Sequence, residues 1–472
     1  MLNLSDQLRK FLKGEVADDA ATLEAYSRDA SLFKVRPEVV IAPKDVSDLT
    51  SLIHFVLQEK KAGRKISLTP RLAGTDMTGG PLSESIVVDL TRYFNRLGQV
   101  GDGWAIVEPG VYYRDFEKET LKKNLLLPSY PASREICTVG GMVANNAGGE
   151  KTLSYGKTEQ YVEKVKMVLA DGEEHEFRSL SLIELKEKER APGLEGQIYR
   201  QMQELVDKNC DLLQKAKPQV SKNSAGYYLW NVFDKQKGTF DLSKVIVGSQ
   251  GTLGIITEIK FKLIRPKAHS RLLVIFLKDT KILGELTQEV LKFHPESFES
   301  YDDNTFALAV KLFPAIARQL KGNIFTLAWQ FLPDFWAVLT GGVPKMVLLA
   351  EFTDDDEGQA LKKAERMQEA IKHYKLKSVV TKTAGESRKY WVMRRESFNL
   401  LRHHVHGKRT APFIDDFSVR PEFLPEFLPK LNEILSHYKI TYTIAGHVGD
   451  GNFHIIRTYA FGLKTAQSRL IY

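Results

Sequence analysis

The chain has 472 residues, a formal net charge of +8, and a composition that is 43% hydrophobic and 27% charged. This length predicts two or three domains, and the positive charge favours anionic partners; without long Lys/Arg blocks it does not predict nucleic-acid binding. Only Cys137 and Cys210 are present, which excludes a four-cysteine iron–sulfur cluster within this sequence and suits a reducing compartment.

Residues 1–34 are predicted to form an N-terminal helical segment. Its first part, MLNLSDQLRKFLKGEV, has the amphipathic pattern of a surface helix, with Ser5 as the expected N-cap. The stretch lacks the continuous apolar core of a secretory signal. We therefore expect a cytoplasmic protein, with peripheral contact at the inner face of a membrane as a further expectation.

Residues 35–265 alternate short apolar runs with helical patterns and begin with a βαβ-like unit. Strands are predicted at Trp104–Pro109, Val162–Ala170, Lys244–Gly248 and Gly254–Leu263. Helices are predicted at Ser47–Lys61, Val111–Lys123 and within Ser179–Lys217. The Arg265-Pro266 pair marks a domain boundary.

Three glycine-rich runs interrupt these elements: Pro70–Gly80 (PRLAGTDMTGG), Pro128–Gly149 (PSYPASREICTVGGMVANNAGG) and Gly248–Gly254 (GSQGTLG). Glycine lets the backbone adopt positive φ and brings N–H groups close to phosphate oxygens. A single run of this kind is more often a tight turn, but three of them favour one large ligand held from several sides. A nicotinamide-binding Rossmann domain is not favoured, because Gly79-Gly80 is followed by Pro81 and a strand instead of a helix.

Residues 266–440 repeat a β-α-β order, which favours an antiparallel sheet flanked by helices. Strands are predicted at Ser270–Leu277, Pro295–Tyr301, Pro344–Phe352 and Ser378–Thr383, and helices at Ile282–Phe293 and Asp355–Tyr374. The apolar stretch Ile324–Val343 approaches the length of a membrane span. Pro333 and Asp334 lie at its middle, which favours a buried helix pair over a spanning helix.

Residues 441–472 contain the chemically most specific motif, HVGDGNFH. Glycines on both sides of Asp450 predict a tight turn. That turn would bring the imidazoles of His447 and His454 toward one point, which favours a functional pair over two structural histidines.

In order along the chain, these motifs resemble the flavin-binding oxidoreductases of the vanillyl-alcohol oxidase family, the p-cresol methylhydroxylase type. Within it they resemble the branch of D-lactate dehydrogenase, glycolate oxidase and D-2-hydroxyglutarate dehydrogenase. The resemblance rests on PRLAGTDMTGG, PASREICTVGGMVANNAGGEKTLSYGKTEQYV, SQGTLGIITEIKFKL and HVGDGNFH. It implies an α+β fold, with an FAD-binding domain of two α/β subdomains over 35–265 and a cap domain with an antiparallel sheet over 266–440.

The resemblance also implies which residues bind FAD. These are Arg71, Ala73, Gly74, Thr75, Asp76, Met77, Gly79, Ser133, Thr138, Val139, Gly140, Gly141, Asn145, Ala147, Gly148, Gly149, Tyr155, Gly156, Gly251 and Ile255. Family members that attach FAD covalently through the first loop use a histidine there. Because the loop has none, we expect non-covalent FAD.

In the second half, the resemblance implies that an arginine of YWVMRRE binds the substrate carboxylate. Arg394 and Arg395 both match part of the family pattern, and the alternative is a pair of surface arginines. His447 and His454 are implied as a catalytic base or as ligands of a divalent metal such as Zn, Mn or Fe. The tail Ile455–Tyr472 contains no Asp, Glu, His or Cys, so this metal site is expected to be incomplete.

The implied reaction is oxidation of a small anionic D-2-hydroxy acid to the 2-oxo acid. The electrons would pass to an external acceptor: a quinone, an electron-transfer protein, oxygen or a separate iron–sulfur subunit. Two other functions stay open at this point. One is a sugar-lactone or alkyl-glycerone-phosphate-type flavoenzyme, and the other is a non-catalytic flavin-binding subunit.

Overall fold

The computed structural model describes residues 3–303, 343–404, 408–410, 416–438 and 441–460. The chain divides into two units, Met1–Pro266 and Lys267–Tyr472. The predicted stretch Ile324–Val343 lies outside the described residues except for its last residue. None of the helices in the described part of the chain has the length and apolar character that crossing a membrane would need.

The first unit contains nine helices among its described residues. They are α1 (Leu4–Leu8), α2 (Ala20–Tyr26), α3 (Val46–Lys61), α4 (Tyr113–Leu121), α5 (Val139–Ala144), α6 (Thr152–Tyr155), α7 (Leu182–Arg190), α8 (Gly193–Ala216) and α9 (Ser243–Ile246). Its strands are β1 (Glu15–Ala17), β2 (Val39–Ala42), β3 (Leu68–Arg71), β4 (Ile86–Asp89), β5 (Leu97–Val100), β6 (Trp104–Val107), β7 (Val162–Val168), β8 (Glu174–Ser181), β9 (Phe233–Asp234), β10 (Thr239–Asp241) and β11 (Ile255–Lys262).

These strands form two sheets, as expected for two α/β subdomains. The first has the order β1-β2-β4-β3, with β2 and β3 both parallel to β4. The second has the order β5-β6-β11-β7-β8-β10-β9, and all of its pairs are antiparallel. The apolar face of α3, including Leu49 and Leu52, packs in the core of the first sheet, and Phe116 of α4 packs against Phe261 of the second.

The described residues of the second unit contain four helices: α10 (Leu283–Leu291), α11 (Glu357–Ala370), α12 (Ala384–His404) and α13 (Leu424–Ser436). Its strands are β12 (His269–Leu277), β13 (Ser297–Asp302), β14 (Met346–Asp354), β15 (Lys377–Val380), β16 (Lys408–Thr410), β17 (Asp416–Ser418), β18 (Thr441–His447) and β19 (Asn452–Ala460).

These strands form one antiparallel sheet with the order β15-β12-β14-β13-β18-β19-β16, and β17 also pairs with β19. The centre of the sheet is apolar: Leu273, Ile275 and Leu348 are fully buried. Ala360 and Ala364 of α11 are also fully buried, because the helix lies against β12 and β14. The predicted α+β class, with an antiparallel sheet and flanking helices in the second half, is confirmed.

Three local predictions differ from the structure. The N-terminal helix covers only Leu4–Leu8, and its N-cap is Asn3, whose side chain accepts from the Asp6 amide at 2.8 Å. Ser5 lies inside the first turn and bonds to the Asn3 side chain instead. The stretch Lys244–Gly248 is not a strand, because residues 243–246 form the short helix α9.

The third difference concerns residues 441–472, which were expected as a separate terminal motif. Their described part forms β18 and β19, and Tyr301 of β13 pairs with Ala445 of β18. The histidine motif is therefore built into the sheet of the second unit. Residues 461–472 lie outside the described residues.

Candidate functional site

A pocket in the first unit is lined by all three glycine-rich runs. Eleven of the residues predicted to bind the cofactor line it: Ala73, Gly74, Thr75, Asp76, Ser133, Thr138, Gly140, Gly141, Asn145, Ala147 and Gly251. The runs are far apart in sequence, so this convergence is a property of the fold. It gives the pocket a wall made largely of backbone and small side chains, which is the kind of surface that a phosphate-bearing cofactor needs.

The second and third runs are joined by backbone hydrogen bonds. The second run contains α5, whose N-cap Thr138 accepts from the Gly141 amide through its side chain at 3.3 Å. The third run lies across the carboxyl end of α5: the Gly248 amide donates to the Val143 carbonyl and the Gln250 amide to the Ala144 carbonyl, each at 2.9 Å. The two runs therefore form one wall.

Close packing explains several glycines of the second run. A Cβ at Gly140 would lie 2.3 Å from the Pro109 Cβ, and one at Gly149 would lie 2.2 Å from the Tyr130 carbonyl oxygen. At Gly141 the nearest atom would be Thr138 Oγ1 at 3.3 Å. Gly140 and Gly149 are thus required by the protein's own packing, whereas Gly141 lines the pocket and a methyl group there would require only a small shift of the Thr138 side chain.

The first run is held by the N-terminal segment. The Ala30 amide donates to the Gly74 carbonyl at 3.1 Å. The Arg71 guanidinium donates to the carbonyls of Tyr26, at 2.8 Å, and Arg28, at 2.5 Å. Burial lowers the pKa of Arg71, and the negative charge of Asp29 offsets part of this effect. The side chain of Arg71 therefore holds the loop in place and is not part of the pocket wall.

Nine predicted cofactor residues do not line the pocket: Arg71, Met77, Gly79, Val139, Gly148, Gly149, Tyr155, Gly156 and Ile255. Val139 and Ile255 belong to the hydrophobic cores. Because side chains alternate along a strand, Ile256 lines the pocket in place of Ile255. A Cβ at Gly148 would meet Thr152 Oγ1 at 2.6 Å, so this glycine is explained by packing against the protein.

The pocket wall also contains residues that were not predicted, among them Cys137, Met142 and Gln250. Burial raises the pKa of the Cys137 thiol to about 12, so the side chain is neutral and contributes apolar surface. Among the described residues that line the pocket, none is a histidine or tyrosine.

A cluster of charged and polar side chains lies in the second unit, where β18 ends. His447 Nδ1 is 2.6 Å from Glu299 Oε1, and an Arg394 Nη atom is 3.1 Å from Glu299 Oε2. The side chains of His447 and Glu299 are only 7% and 2% exposed, and that of Arg394 is 12% exposed. A histidine and an arginine that were predicted from separate motifs therefore meet on one buried carboxylate.

The HVGDGNFH motif forms the connection between β18 and β19. Residues Val448–Asp450 make a short 3-10 turn, and Gly451 follows with a φ of 62°. A Cβ at Gly451 would overlap the Val419 carbonyl oxygen at 1.8 Å. The turn places the rings of His447 and His454 with their centroids 5.4 Å apart, in an edge-to-face arrangement.

The structure separates the two candidate arginines. Arg394 points to Glu299, whereas Arg395 is exposed and its guanidinium lies over the Trp391 ring, 4.8 Å from the centroid. Successive residues of α12 point about 100° apart, so only one of them can face the buried cluster. That residue is Arg394.

The histidines are not part of a metal cluster in the described residues. No group of three or more His, Cys, Asp or Glu side chains there is arranged to hold a metal ion. His454 Nδ1 is 3.7 Å from Asp416 Oδ1. Asp416 also accepts a hydrogen bond from the side-chain amide of Asn452. His447 directs Nδ1 to Glu299. Glu299 and Asp416 thus each contact one of the two imidazoles.

Two family sequence models match the chain. One, described as an FAD binding domain, matches residues 37–178, and the other, described as the C-terminal domain of FAD linked oxidases, matches residues 266–471. The fold is also that of solved flavoenzymes. An alkyldihydroxyacetonephosphate synthase aligns with a TM-score of 0.67 at 14% identity, covering 97% of this chain and 76% of that one. A p-cresol methylhydroxylase aligns with a TM-score of 0.64 at 14% identity, covering 97% and 82%.

The chain thus combines an FAD binding domain with the C-terminal domain of FAD linked oxidases, and its fold is that of the p-cresol methylhydroxylase type. Three of the curated proteins that it resembles are dehydrogenases or an oxidase subunit. A D-2-hydroxyglutarate dehydrogenase of Pseudomonas putida is 24% identical over 451 residues, covering 94% of this chain and 43% of the relative. The glycolate oxidase subunit GlcD of Bacillus subtilis is 24% identical, covering 96% and 80%. A D-lactate dehydrogenase of Anaerostipes hadrus is also 24% identical, covering 89% and 74%. The chain thus spans less than half the length of the first of these.

We predict that Gly141→Ala lowers FAD affinity by about tenfold or more while the protein stays folded, because Gly141 lines the pocket and a methyl group would keep a cofactor from its backbone. Fluorescence titration of the apoprotein with FAD measures the affinity. Gly385→Ala is the matched control, since it adds a methyl group to an exposed helical position of the second unit. Unchanged affinity in Gly141→Ala would show that the cofactor does not approach this backbone.

We predict that Arg71→Met lowers the free energy of unfolding of the apoprotein by about 3 kcal/mol, because two charge-assisted hydrogen bonds to backbone carbonyls are lost. Urea unfolding in the absence of FAD measures this change. Arg92→Met, which removes an exposed ion pair with Glu15, is expected to change stability by less than about 1 kcal/mol. Weaker FAD binding with unchanged apoprotein stability would instead assign Arg71 to the cofactor.

Proposed function

We propose that this protein oxidises a D-2-hydroxy acid to the 2-oxo acid with non-covalent FAD and passes the electrons to an external acceptor. D-lactate, glycolate and D-2-hydroxyglutarate represent the substrate class. The observation that carries the proposal is the buried cluster in the second unit, where a guanidinium and an imidazole lie on the same carboxylate. The names of the curated relatives support the same class of reaction.

The pocket of the first unit has the properties that FAD requires. Its wall contains backbone from three glycine runs, and Gly74 and Gly251 adopt positive φ values of 66° and 76°. We propose that Gly74, Thr75, Gly141 and Asn145 hold the cofactor in this pocket. FAD, when bound, supplies the two-electron acceptor for the hydride that leaves the hydroxyl-bearing carbon.

Arg394 is the proposed carboxylate-binding residue. A guanidinium presents several N–H donors in one plane, so it can bond to Glu299 along one edge and to a substrate carboxylate along another. Its low exposure strengthens the attraction, because a buried ion pair is less screened by solvent. Arg395 is exposed instead, and its guanidinium lies over the Trp391 ring.

His447 is the proposed base for the hydroxyl proton. A neutral imidazole can accept a proton on one nitrogen while the other nitrogen donates a hydrogen bond. Removing this proton allows the carbonyl to form as the hydride leaves the same carbon. His454, with its ring centroid 5.4 Å from that of His447, is proposed to contact the same substrate group.

We derive no step through a metal ion. Two imidazoles without a third protein ligand would bind a divalent ion weakly, and the described residues contain no larger cluster. The proposed electron acceptor lies outside this sequence, because its two cysteines cannot form a four-cysteine cluster. A quinone, an electron-transfer protein, oxygen or an iron–sulfur subunit fits this requirement, and a cytoplasmic location with peripheral contact at the membrane is part of the proposal.

Replacement of Arg394 by lysine tests the proposal. We expect Arg394→Lys to raise the hydroxy-acid concentration for half-maximal anaerobic flavin reduction by about tenfold or more, since a charge-assisted hydrogen bond contributes about 1.5–3 kcal/mol. FAD content is expected to stay unchanged. Arg395→Lys is the matched control and should behave like the wild type. Equal effects of the two substitutions, or none, would place the carboxylate site elsewhere.

A further inference from the structure

Glu299 is the most deeply buried acidic side chain of the second-unit cluster, and no sequence motif pointed to it. Its two carboxylate oxygens have different partners: Oε1 is 2.6 Å from His447 Nδ1, and Oε2 is 3.1 Å from a terminal nitrogen of Arg394. The side chain is 2% exposed. A carboxylate is rarely buried so completely unless paired groups compensate for its lost hydration.

The sheet register explains how Glu299 reaches the histidine. Strands β13 and β18 are antiparallel, with Ser300 opposite Gly446 and Tyr301 opposite Ala445. Continuing this register by one residue places Glu299 opposite His447, at the end of β18. Directly opposite residues in an antiparallel pair have neighbouring side chains. The contact is therefore set by the backbone of the sheet and not by a mobile loop.

The contact with Glu299 also selects the tautomer of His447. An ionised carboxylate can only accept hydrogen bonds, and the adjacent guanidinium of Arg394 favours the ionised form. Nδ1 of His447 must therefore carry the hydrogen, which leaves the lone pair of the neutral ring on Nε2. The second oxygen of Glu299 lies 3.1 Å from a terminal nitrogen of Arg394, so the same carboxylate also restrains the orientation of the guanidinium.

We propose that Glu299 is the positioning residue of this site: it sets the tautomer of His447 and the plane of Arg394 together, so that base and carboxylate-binding group have one fixed relative geometry. The inference rests on the proposed function, because it assigns no reaction of its own to Glu299. It predicts that the two roles are linked through one side chain. A carboxylate with only a packing role would have no such link.

The test uses the intact flavoprotein and the variant Glu299→Gln, which keeps the size of the side chain. The amide can still accept from His447 Nδ1, but its NH2 group then faces the guanidinium, and donor opposes donor. We expect the hydroxy-acid concentration for half-maximal anaerobic flavin reduction to rise about tenfold. The limiting rate of reduction is expected to fall about tenfold as well, because the neutral amide oxygen holds His447 Nδ1 by a weaker hydrogen bond than the carboxylate does, and a less well-oriented base contributes less.

A double-substitution experiment separates positioning from general damage. In an Arg394→Lys background, Glu299→Gln should raise the half-maximal concentration less than about threefold, because the guanidinium that Glu299 orients is already absent. It should still lower the limiting rate, since the effect on His447 remains. Fully additive effects on the half-maximal concentration would overturn the proposal.

Asp302→Asn is the structural control. Asp302 lies on the same strand, is 7% exposed, and accepts from the Ile444 amide of β18 at 2.7 Å, so it also joins β13 to the histidine strand. We expect this variant to melt at a lower temperature without the changes in concentration dependence and rate. If Asp302→Asn reproduces both kinetic effects, Glu299 acts only through the stability of the sheet.

The remaining outcomes are also decisive. If the wild type is reduced by a hydroxy acid and Glu299→Gln behaves like it, the inference is wrong and the proposed function stands. If no hydroxy acid reduces the wild type, the proposed function fails and the role of Glu299 with it. Should Glu299→Gln not fold, Glu299→Asp replaces it: it keeps the charge but is one methylene shorter, and should show both kinetic effects in a folded protein.

Discussion

The cofactor pocket depends on the contact between Gly140 and Pro109. A Cβ at Gly140 would lie 2.3 Å from the Pro109 Cβ, and the Gly140 amide donates to the Pro109 carbonyl at 2.9 Å. This contact fixes the start of α5. The carbonyls of Val143 and Ala144 at the other end of α5 then hold the third glycine run. The pocket wall is thus backbone held by close packing, which suits a ligand that presents phosphate oxygens.

The sequence predicted helices and strands best where a periodic hydrophobic pattern extends over many residues. The helix expected at Ser47–Lys61 is observed at Val46–Lys61, and the strand expected at Ser270–Leu277 is observed at His269–Leu277. The predictions failed where a local contact decides the structure, as at the short helix α9. The order of the seven-stranded sheet depends on pairings between distant residues, such as Ile259 with Val107, which no local pattern contains.

The sequence predicted the candidate site only in part. The motifs located the glycine runs and the histidine pair, but they could not decide whether Ile255 or Ile256 faces the pocket, or which of the two arginines is buried, because side-chain direction depends on the final packing. Glu299 was missed because its partners are distant in sequence. One signal existed: all six residues of β13 are buried, and a glutamate within such a strand requires charged or hydrogen-bonding partners.

The proposed reaction is removal of a hydride from a hydroxy acid of D configuration. The most direct measurement is anaerobic mixing of the FAD-loaded protein with the separate D and L enantiomers of lactate and 2-hydroxyglutarate, followed by the visible absorbance of the flavin. We expect bleaching by at least one D enantiomer and none by its L counterpart, because a fixed arginine and a fixed base present only one face of the hydroxyl-bearing carbon. Absence of bleaching with every hydroxy acid, or equal bleaching by both enantiomers, would contradict it.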